Sequence, residues 1–402
     1  MNARLLLALA PLLLFAQTRP VTDAEVMRLH RSALLIDTHN DLPYWTVEGH
    51  DIAASGSQSG IPHSTLPQLR QGGVGAVFFS AWVAKDFVEG NRSANRALQL
   101  IDSVKHDIVE KYPNDFQFAA SVKDIEDAHR RGKIAALLGI EGGHAIEDSL
   151  RLLRDYYDLG VRYMTLTHTN TNGWADSSGD VTDPKVAHHN GLTDFGKQVV
   201  REMNRLGMMV DISHVSDKTF YDALEVSRAP LVASHSDARA FANAPRNMTD
   251  DMISALAKKG GVIQVNFNCG FLSQRFRDES VATQPLVTQR LQQAIGGKPI
   301  GELESDLLEG QIRAKAGVKP ATLADAVAHI DHIRKIAGID SIGIGTDFNG
   351  VGCTPEGLED ASKFPNLTRA LLEKGYTEQD IRKIYGGNLL RVMRAVEVAA
   401  GK

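Results

Sequence analysis

The 402 residues are 43% apolar and 23% charged, with 35 glycines, which is ample for a large core. Intrinsic disorder, a collagen-like repeat and a disulfide-stapled miniprotein are excluded. The 44 basic and 49 acidic residues leave a formal charge of -5 with no long block of either sign. This argues against a nucleic-acid partner, because a dedicated binder needs a basic face to neutralise phosphates.

The chain opens on Met1 to Arg4, short and basic, followed by an apolar run from Leu5 to Phe15 and a plausible cleavage point at Ala16-Gln17-Thr18. That is the anatomy of a secretory signal peptide, here residues 1–16. The run would rise only about 16 Å as a helix against a bilayer core of about 30 Å, too short for a stable span. The remaining residues, 17–402, are expected to be a soluble secreted or periplasmic protein. The C-terminal Val398-Ala399-Ala400-Gly401-Lys402 carries no hydrophobic tail of a lipid-anchor signal. Asn91-Arg92-Ser93, Asn247-Met248-Thr249 and Asn366-Leu367-Thr368 match the glycosylation sequon, which matters only in a eukaryotic secretory route.

Short runs rich in Val, Ile and Phe predict eight strands, at residues 34–39, 74–82, 134–141, 163–168, 208–214, 231–235, 262–267 and 341–348. Most are apolar throughout, as a parallel sheet covered on both faces requires. Amphipathic stretches at 94–110, 146–159, 193–206, 218–226, 250–259 and 324–337 alternate with them and predict helices, several ending on glycine as at Leu206-Gly207. The alternation predicts an α/β protein, a (β/α)8 TIM barrel forming one domain over 17–402. Residues 268–320, after the seventh strand, are too long for an ordinary loop and predict an insertion with its own helices, serving as a lid or a dimer contact. Residues 377–398 predict two closing helices.

Almost every predicted strand ends in a group that can bind metal or move a proton. In chain order these are Asp37-Thr38-His39-Asn40-Asp41, Glu141-Gly142-Gly143-His144, Thr167-His168, Asp211-Ile212-Ser213-His214, Ser234-His235-Ser236 and Thr346-Asp347-Phe348. In a barrel these ends converge on the face where active sites lie. Imidazole and carboxylate without thiolate suit zinc, with manganese or cobalt as substitutes. A two-metal site accounts for the set best: His39 and Asp41 on one ion, His214 and His235 on the other, and Glu141 between them. Asp37 is read equally well as support for a ligand or as a turn former. His329 and His332 are read as helix surface or packing, and His188-His189 as exposed loop residues without partners. The absence of a Gly-x-Ser-x-Gly elbow and of a cysteine beside a histidine argues against nucleophilic catalysis.

Taken together, Asp37-Thr38-His39-Asn40-Asp41-Leu42-Pro43, Ile140-Glu141-Gly142-Gly143-His144, Leu166-Thr167-His168, Asp211-Ile212-Ser213-His214-Val215-Ser216, Ser234-His235-Ser236, Arg246-Asn247 and Gly345-Thr346-Asp347-Phe348 resemble the membrane (renal-type) dipeptidases, zinc peptidases of the amidohydrolase superfamily. The resemblance runs from about Leu34 to Met393. It implies two Zn2+ per subunit on His39, Asp41, Glu141, His214 and His235, and hydrolysis of dipeptides by a metal-bridging hydroxide with tolerance of a D-residue at the C-terminal position. It also implies that His168 binds substrate and the oxyanion, that Arg246 holds the terminal carboxylate, that Asp347 relays the proton, and that the chain forms a homodimer. The alternative is a binuclear amide or lactone hydrolase acting on N-acyl amino acids, β-lactams or cyclic amides. Where the family more often has a second aspartate after Asp-Phe, this chain has Asn349, which is expected to remove a negative charge beside the metals. Cys269 and Cys353 follow strands seven and eight, which are neighbours in the barrel, so a disulfide across the top of the site is conceivable and its presence stays open.

Overall fold

The computed structural model describes residues 21–54 and 59–402; the expected leader, 1–16, lies outside them. Nine strands form one sheet: β1 (Leu35–Asn40), β2 (Val74–Trp82), β3 (Phe116–Phe118), β4 (Ile134–Glu141), β5 (Val161–Thr165), β6 (Met209–Asp211), β7 (Val232–Ala233), β8 (Val262–Val265) and β9 (Ile342–Ile344). The path β1-β2-β4-β5-β6-β7-β8-β9 is parallel at every step. It closes on itself where Asp347 N–H donates to His39 O at 3.1 Å and Asp41 N–H to Phe348 O at 3.0 Å. The result is a (β/α)8 barrel. Every residue of β1, β2 and β4 is buried; β2 and β4 are accordingly nearly continuous apolar runs rather than alternating ones, whereas β1 turns polar after Leu35-Ile36 and buries Asp37, Thr38, His39 and Asn40.

The expected strands β2 and β4 keep their bounds, whereas regular pairing in β5, β6, β7 and β9 stops before His168, His214, His235 and Asp347. Backbone bonds continue there in broken register, as from Leu166 N–H to Asp211 O at 3.2 Å and Ile212 N–H to Val232 O at 2.8 Å. The polar residues therefore sit just beyond the ladder, where the chain is free to turn their side chains inward. The strand β3 has no counterpart among the expected eight. At three residues it is too short to show a period, and it pairs with the first half of β4 on the edge whose second half takes β5.

The helix Asp194–Leu206 shows how the outer ring is built. Thr193 accepts from Gly196 N–H at its start, Val199, Val200 and Met203 face the sheet, and Gly207 ends it in the left-handed conformation at φ 80°. Two further helices, Asp23–Ser32 and Val122–Arg130, bury Val26-Leu29-His30 and Val122-Ile125-Ala128 at helical spacing. At the far end of the barrel Asn388 donates to the carbonyls of Ile339 and Ile342 at 2.7 and 2.8 Å, and the helix Asn388–Ala399 covers the core with Leu389, Val392 and Val396. The expected closing helices are thus present, joined by a π turn at Lys383–Gly387.

The expected insertion holds three helices, Cys269–Leu272, Gln274–Ile295 and Glu302–Lys315. It is seated as a roof rather than hung as a lid. A Cβ on Gly310 would lie 1.8 Å from Gly352 O, and one on Gly352 would lie 2.1 Å from Asp306 O, so the two backbones touch. A disulfide joins Cys269 to Cys353, with Cα atoms 5.6 Å apart. Tyr44 Oη donates to Glu304 Oε2 at 2.5 Å from the opposite side. Among the described residues, no helix is long and apolar enough to cross a membrane.

Candidate metal centre

The strand ends bring His39, Asp41, Glu141, His168, His214, His235 and Asp347 together in three overlapping groups whose ligand atoms lie within 4.8 Å of one another: His39-Glu141-His235, Glu141-His168-His214 and His39-Asp41-Asp347. Glu141, the last residue of β4, is the hinge of the arrangement. Its Oε1 lies 2.9 Å from His214 Nε2 and 3.2 Å from His235 Nε2, while its Oε2 lies 3.2 Å from His39 Nε2. His39 Nε2 is 3.6 Å from Asp41 Oδ2.

The residues fit divalent cations on three counts. The nitrogens His214 Nε2 and His235 Nε2 approach to 3.0 Å. Among the described residues, buried His39 Nε2 and Asp41 Oδ1 have no well-aligned hydrogen-bond partner, the approach of Glu141 to His39 being an ion-pair contact only, and such orphans are rare where no ligand is intended. Finally, burial pulls His39 down, yet Glu141 and Asp41 outweigh it and push the imidazole up to about 10: the cluster calls for positive charge. Burial pushes Glu141 up, but His39, His168 and the hydrogen-bonding His214 and His235 hold it well below the ordinary carboxylate range. Asp347 is raised by burial and Glu141 against the pull of His39.

Two of the cluster's residues adopt conformations unusual for their type: His214 has φ 65° and Asp347 φ 63°, in the left-handed region, as does Asn349 at 69°. Partners invisible to strand-end inspection hold the cluster. Tyr163 Oη meets His39 Nδ1 at 2.8 Å, Asn266 donates to Asp347 Oδ2 at 2.9 Å, and Trp82 Nε1–H reaches His168 Nε2 at 3.2 Å. Arg246 is fixed beside them, donating to Ser236 Oγ at 2.7 Å and His235 O at 2.5 Å. A cavity of about 130 Å³ opens onto the cluster, walled by Trp82, His168 and Phe271 and roofed by Glu302, Leu303 and Asp306 of the insertion.

Four other residues or pairs singled out in the sequence are resolved by their contacts. Asp37 accepts from Thr346 N–H and Oγ1 at 2.9 and 2.7 Å and from His39 N–H at 3.4 Å, so it ties the barrel seam to the backbone of His39. Asn349 does not face the cluster: its Oδ1 accepts from His63 and Ser64 N–H and its Nδ2 turns to Asn40 and Ser64, so the missing charge is not beside the clustered imidazoles and carboxylates. His329 is fully buried, donating to Leu272 O at 3.0 Å, and His332 pairs with Asp250 at 2.7 Å. His188 and His189 are exposed but not partnerless, since His189 Nε2 meets Asn172 O at 2.8 Å and His188 lies 3.9 Å from Asp176.

A closed parallel barrel with imidazoles and carboxylates gathered at the C-terminal strand ends defines a metallohydrolase of the amidohydrolase type. The family model of the membrane dipeptidases, peptidase family M19, matches residues 23–402, and the chain belongs to that family of metallo-dipeptidases. An uncharacterized dipeptidase of Schizosaccharomyces pombe is 37% identical over 385 residues, covering 92% of this chain and 82% of the relative. Among solved structures, the probable dipeptidase PvdM from Pseudomonas aeruginosa is 25% identical with TM-score 0.75, covering 94% of this chain and 98% of its own. A metallo peptidase from Rhodobacter sphaeroides, liganded with a phosphinate mimic of L-Ala-D-Ala, shares the fold at 22% identity and TM-score 0.71, over 90% of this chain and 99% of its own.

Proposed function

We propose that this chain is a dipeptidase working with two zinc ions, one held by His39 and Asp41, the other by His214 and His235, with Glu141 shared. The observation that carries this is the division of Glu141, whose two oxygens face different imidazoles at 2.9 to 3.2 Å. Two such cations supply a water of lowered pKa and polarise the scissile carbonyl.

The chain's own residues supply the remaining parts. Arg246, with two of its nitrogens already anchored, presents a guanidinium to the free carboxylate of a dipeptide. His168, oriented by the indole of Trp82, contacts the substrate and the oxygen on which negative charge develops. Asp347 takes the proton of the attacking water and passes it to the leaving amine, with Asn266 holding its other oxygen in place. We further propose a leader at 1–16, a single domain over 17–402, a secreted or periplasmic location and a homodimer, all following from the leader's anatomy and the family resemblance.

The test is a metal-depleted preparation assayed against L,L and L,D dipeptides with and without added zinc. Restored turnover supports the proposal; no turnover with any pair refutes it. The alternative, an amide or lactone hydrolase on the same centre, is separated by Arg246→Ala. That change should raise KM strongly for free dipeptides and little for C-terminal amides, and an unchanged KM for free dipeptides removes the carboxylate clamp.

A further inference from the structure

Asp211 is fully buried at the end of β6 and collects four donors: Thr165 Oγ1 at 2.5 Å and Ser234 Oγ at 2.6 Å on Oδ2, Ser213 N–H at 3.0 Å and Ser234 N–H at 2.8 Å on Oδ1. A carboxylate so surrounded is an acceptor only. The hydroxyl hydrogen of Ser234 is therefore committed to Asp211, and Ser234 Oγ has only lone pairs left for its other close neighbour, His235 Nδ1, at 2.7 Å. For that contact to be a hydrogen bond, Nδ1 must carry the proton. The same tautomer leaves Nε2 as a bare lone pair, and Nε2 is the atom that converges on Glu141 and His214. The ring is further held in its plane by stacking on His39, with centroids 3.7 Å apart.

We propose that Asp211 and Ser234 are positioning residues for a metal, a carboxylate–hydroxyl–imidazole relay that fixes the tautomer of His235 and strengthens its Nε2 as a ligand. The proposal rests on the reading of His235 as a metal ligand. It singles out one imidazole of the cluster: His39 Nδ1 also meets a hydroxyl, Tyr163 Oη, but that phenol donates onward to the neutral Thr38 carbonyl at 3.1 Å. A relay ending on a carboxylate raises ligand basicity more than one ending on a carbonyl.

The experiment measures zinc affinity of the full chain by chelator competition, with the melting temperature of the metal-free protein recorded alongside. Ser234→Ala should weaken one of two zinc equivalents by about 10- to 100-fold while the metal-free melting temperature moves little, and Ser234→Thr, which keeps the hydroxyl, should recover most of the affinity. Asp211→Asn, which keeps the shape and removes the anion, should lose affinity at the same equivalent. Unchanged affinity in Ser234→Ala, with zinc lost in His235→Ala, overturns the relay. Retention of both zinc equivalents in His235→Ala overturns instead the assignment of His235 as a ligand. Should the variants fail to fold, 15N spectra of histidine-labelled unaltered protein decide: a proton on His235 Nδ1 supports the relay, and one on Nε2 in the metal-free protein overturns it.

Discussion

Replacing Gly310 by alanine sets two effects of opposite sign against each other. Inside the helix Glu302–Lys315, the change from glycine should stabilise by about 0.5–1 kcal/mol, because alanine loses less backbone freedom on folding. Against this, the new Cβ would sit 1.8 Å from the carbonyl oxygen of Gly352 and 2.7 Å from its carbon. Reaching an ordinary contact requires the helix and the Gly352 segment to separate by about 1.6 Å. The segment cannot retreat freely, since Cys353 is bonded to Cys269. Overpacking of this kind costs about 1–3 kcal/mol, so the net effect should be destabilising, with a melting temperature lowered by a few degrees. The same displacement lifts Glu302 and Asp306 from the cavity, so KM for a dipeptide should rise about tenfold with a smaller change in kcat. Thermal melting and steady-state kinetics of the variant read both effects. A melting temperature that rises while KM stays constant would show that propensity wins and that the roof is not seated backbone to backbone.

The remaining predictions concern acid, the disulfide and the roof's charge. His63 and His329 are each pushed down to about 4 by burial, and each accepts a backbone N–H on Nδ1, from Asn349 and Ala238. The unfolded chain binds their protons near pH 6.5 and the folded one does not, so stability is full above 6.5 and falls as pH drops toward 4, by about 3 kcal/mol per histidine. Urea unfolding at pH 7 and 5 should show the loss and H329Q should lessen it; a flat profile contradicts buried neutral imidazoles. Replacing both cysteines by serine reopens a loop of 84 residues and should cost about 4–5 kcal/mol in chain entropy, measured by denaturant unfolding; a loss under 1 kcal/mol would show that the covalent link adds nothing to the roof's packing. Glu302 and Asp306 are one turn apart, and no ion pair is formed by either among the described residues. Burial pushes Glu302 up and Asp306 up to about 7, so at pH 8, where both are mostly charged, the double variant E302Q/D306N should lower the kcat/KM ratio of a lysine-containing to a glycine-containing dipeptide about tenfold, and an unchanged ratio denies the roof a part in selectivity.

What could be read from the sequence was set by how local the determining physics is. The strands β2 and β4 were legible to the residue because burial on both faces leaves an unbroken apolar run. The gathering of His39, Glu141, His214 and His235 was legible because a barrel forces all strand ends onto one face. Partners such as Tyr163 and Asn266 were not, since an interior tyrosine on β5 or an asparagine after β8 reads as ordinary core until the barrel closes and sets it against His39 or Asp347. The orientation of Asn349 was hidden for a related reason. Its φ of 69° turns the side chain toward Asn40 and Ser64, and adjacency to Asp347 in sequence suggested the opposite. The insertion's length was plain at 268–320, but its fixed seat depends on two glycines 42 positions apart meeting face to face.

The left-handed backbone at His214 and Asp347 bears on how this chain could be engineered. Non-glycine residues there cost about 1–2 kcal/mol each, so a search for greater stability would favour glycine at the two positions where the proposed chemistry needs an imidazole and a carboxylate. Asn349 shares the conformation without facing the cluster. Selection for thermal resistance alone would thus be drawn toward erasing the centre. A screen for hardier variants of this barrel has to hold those two side chains constant and seek its gains on the outer helices.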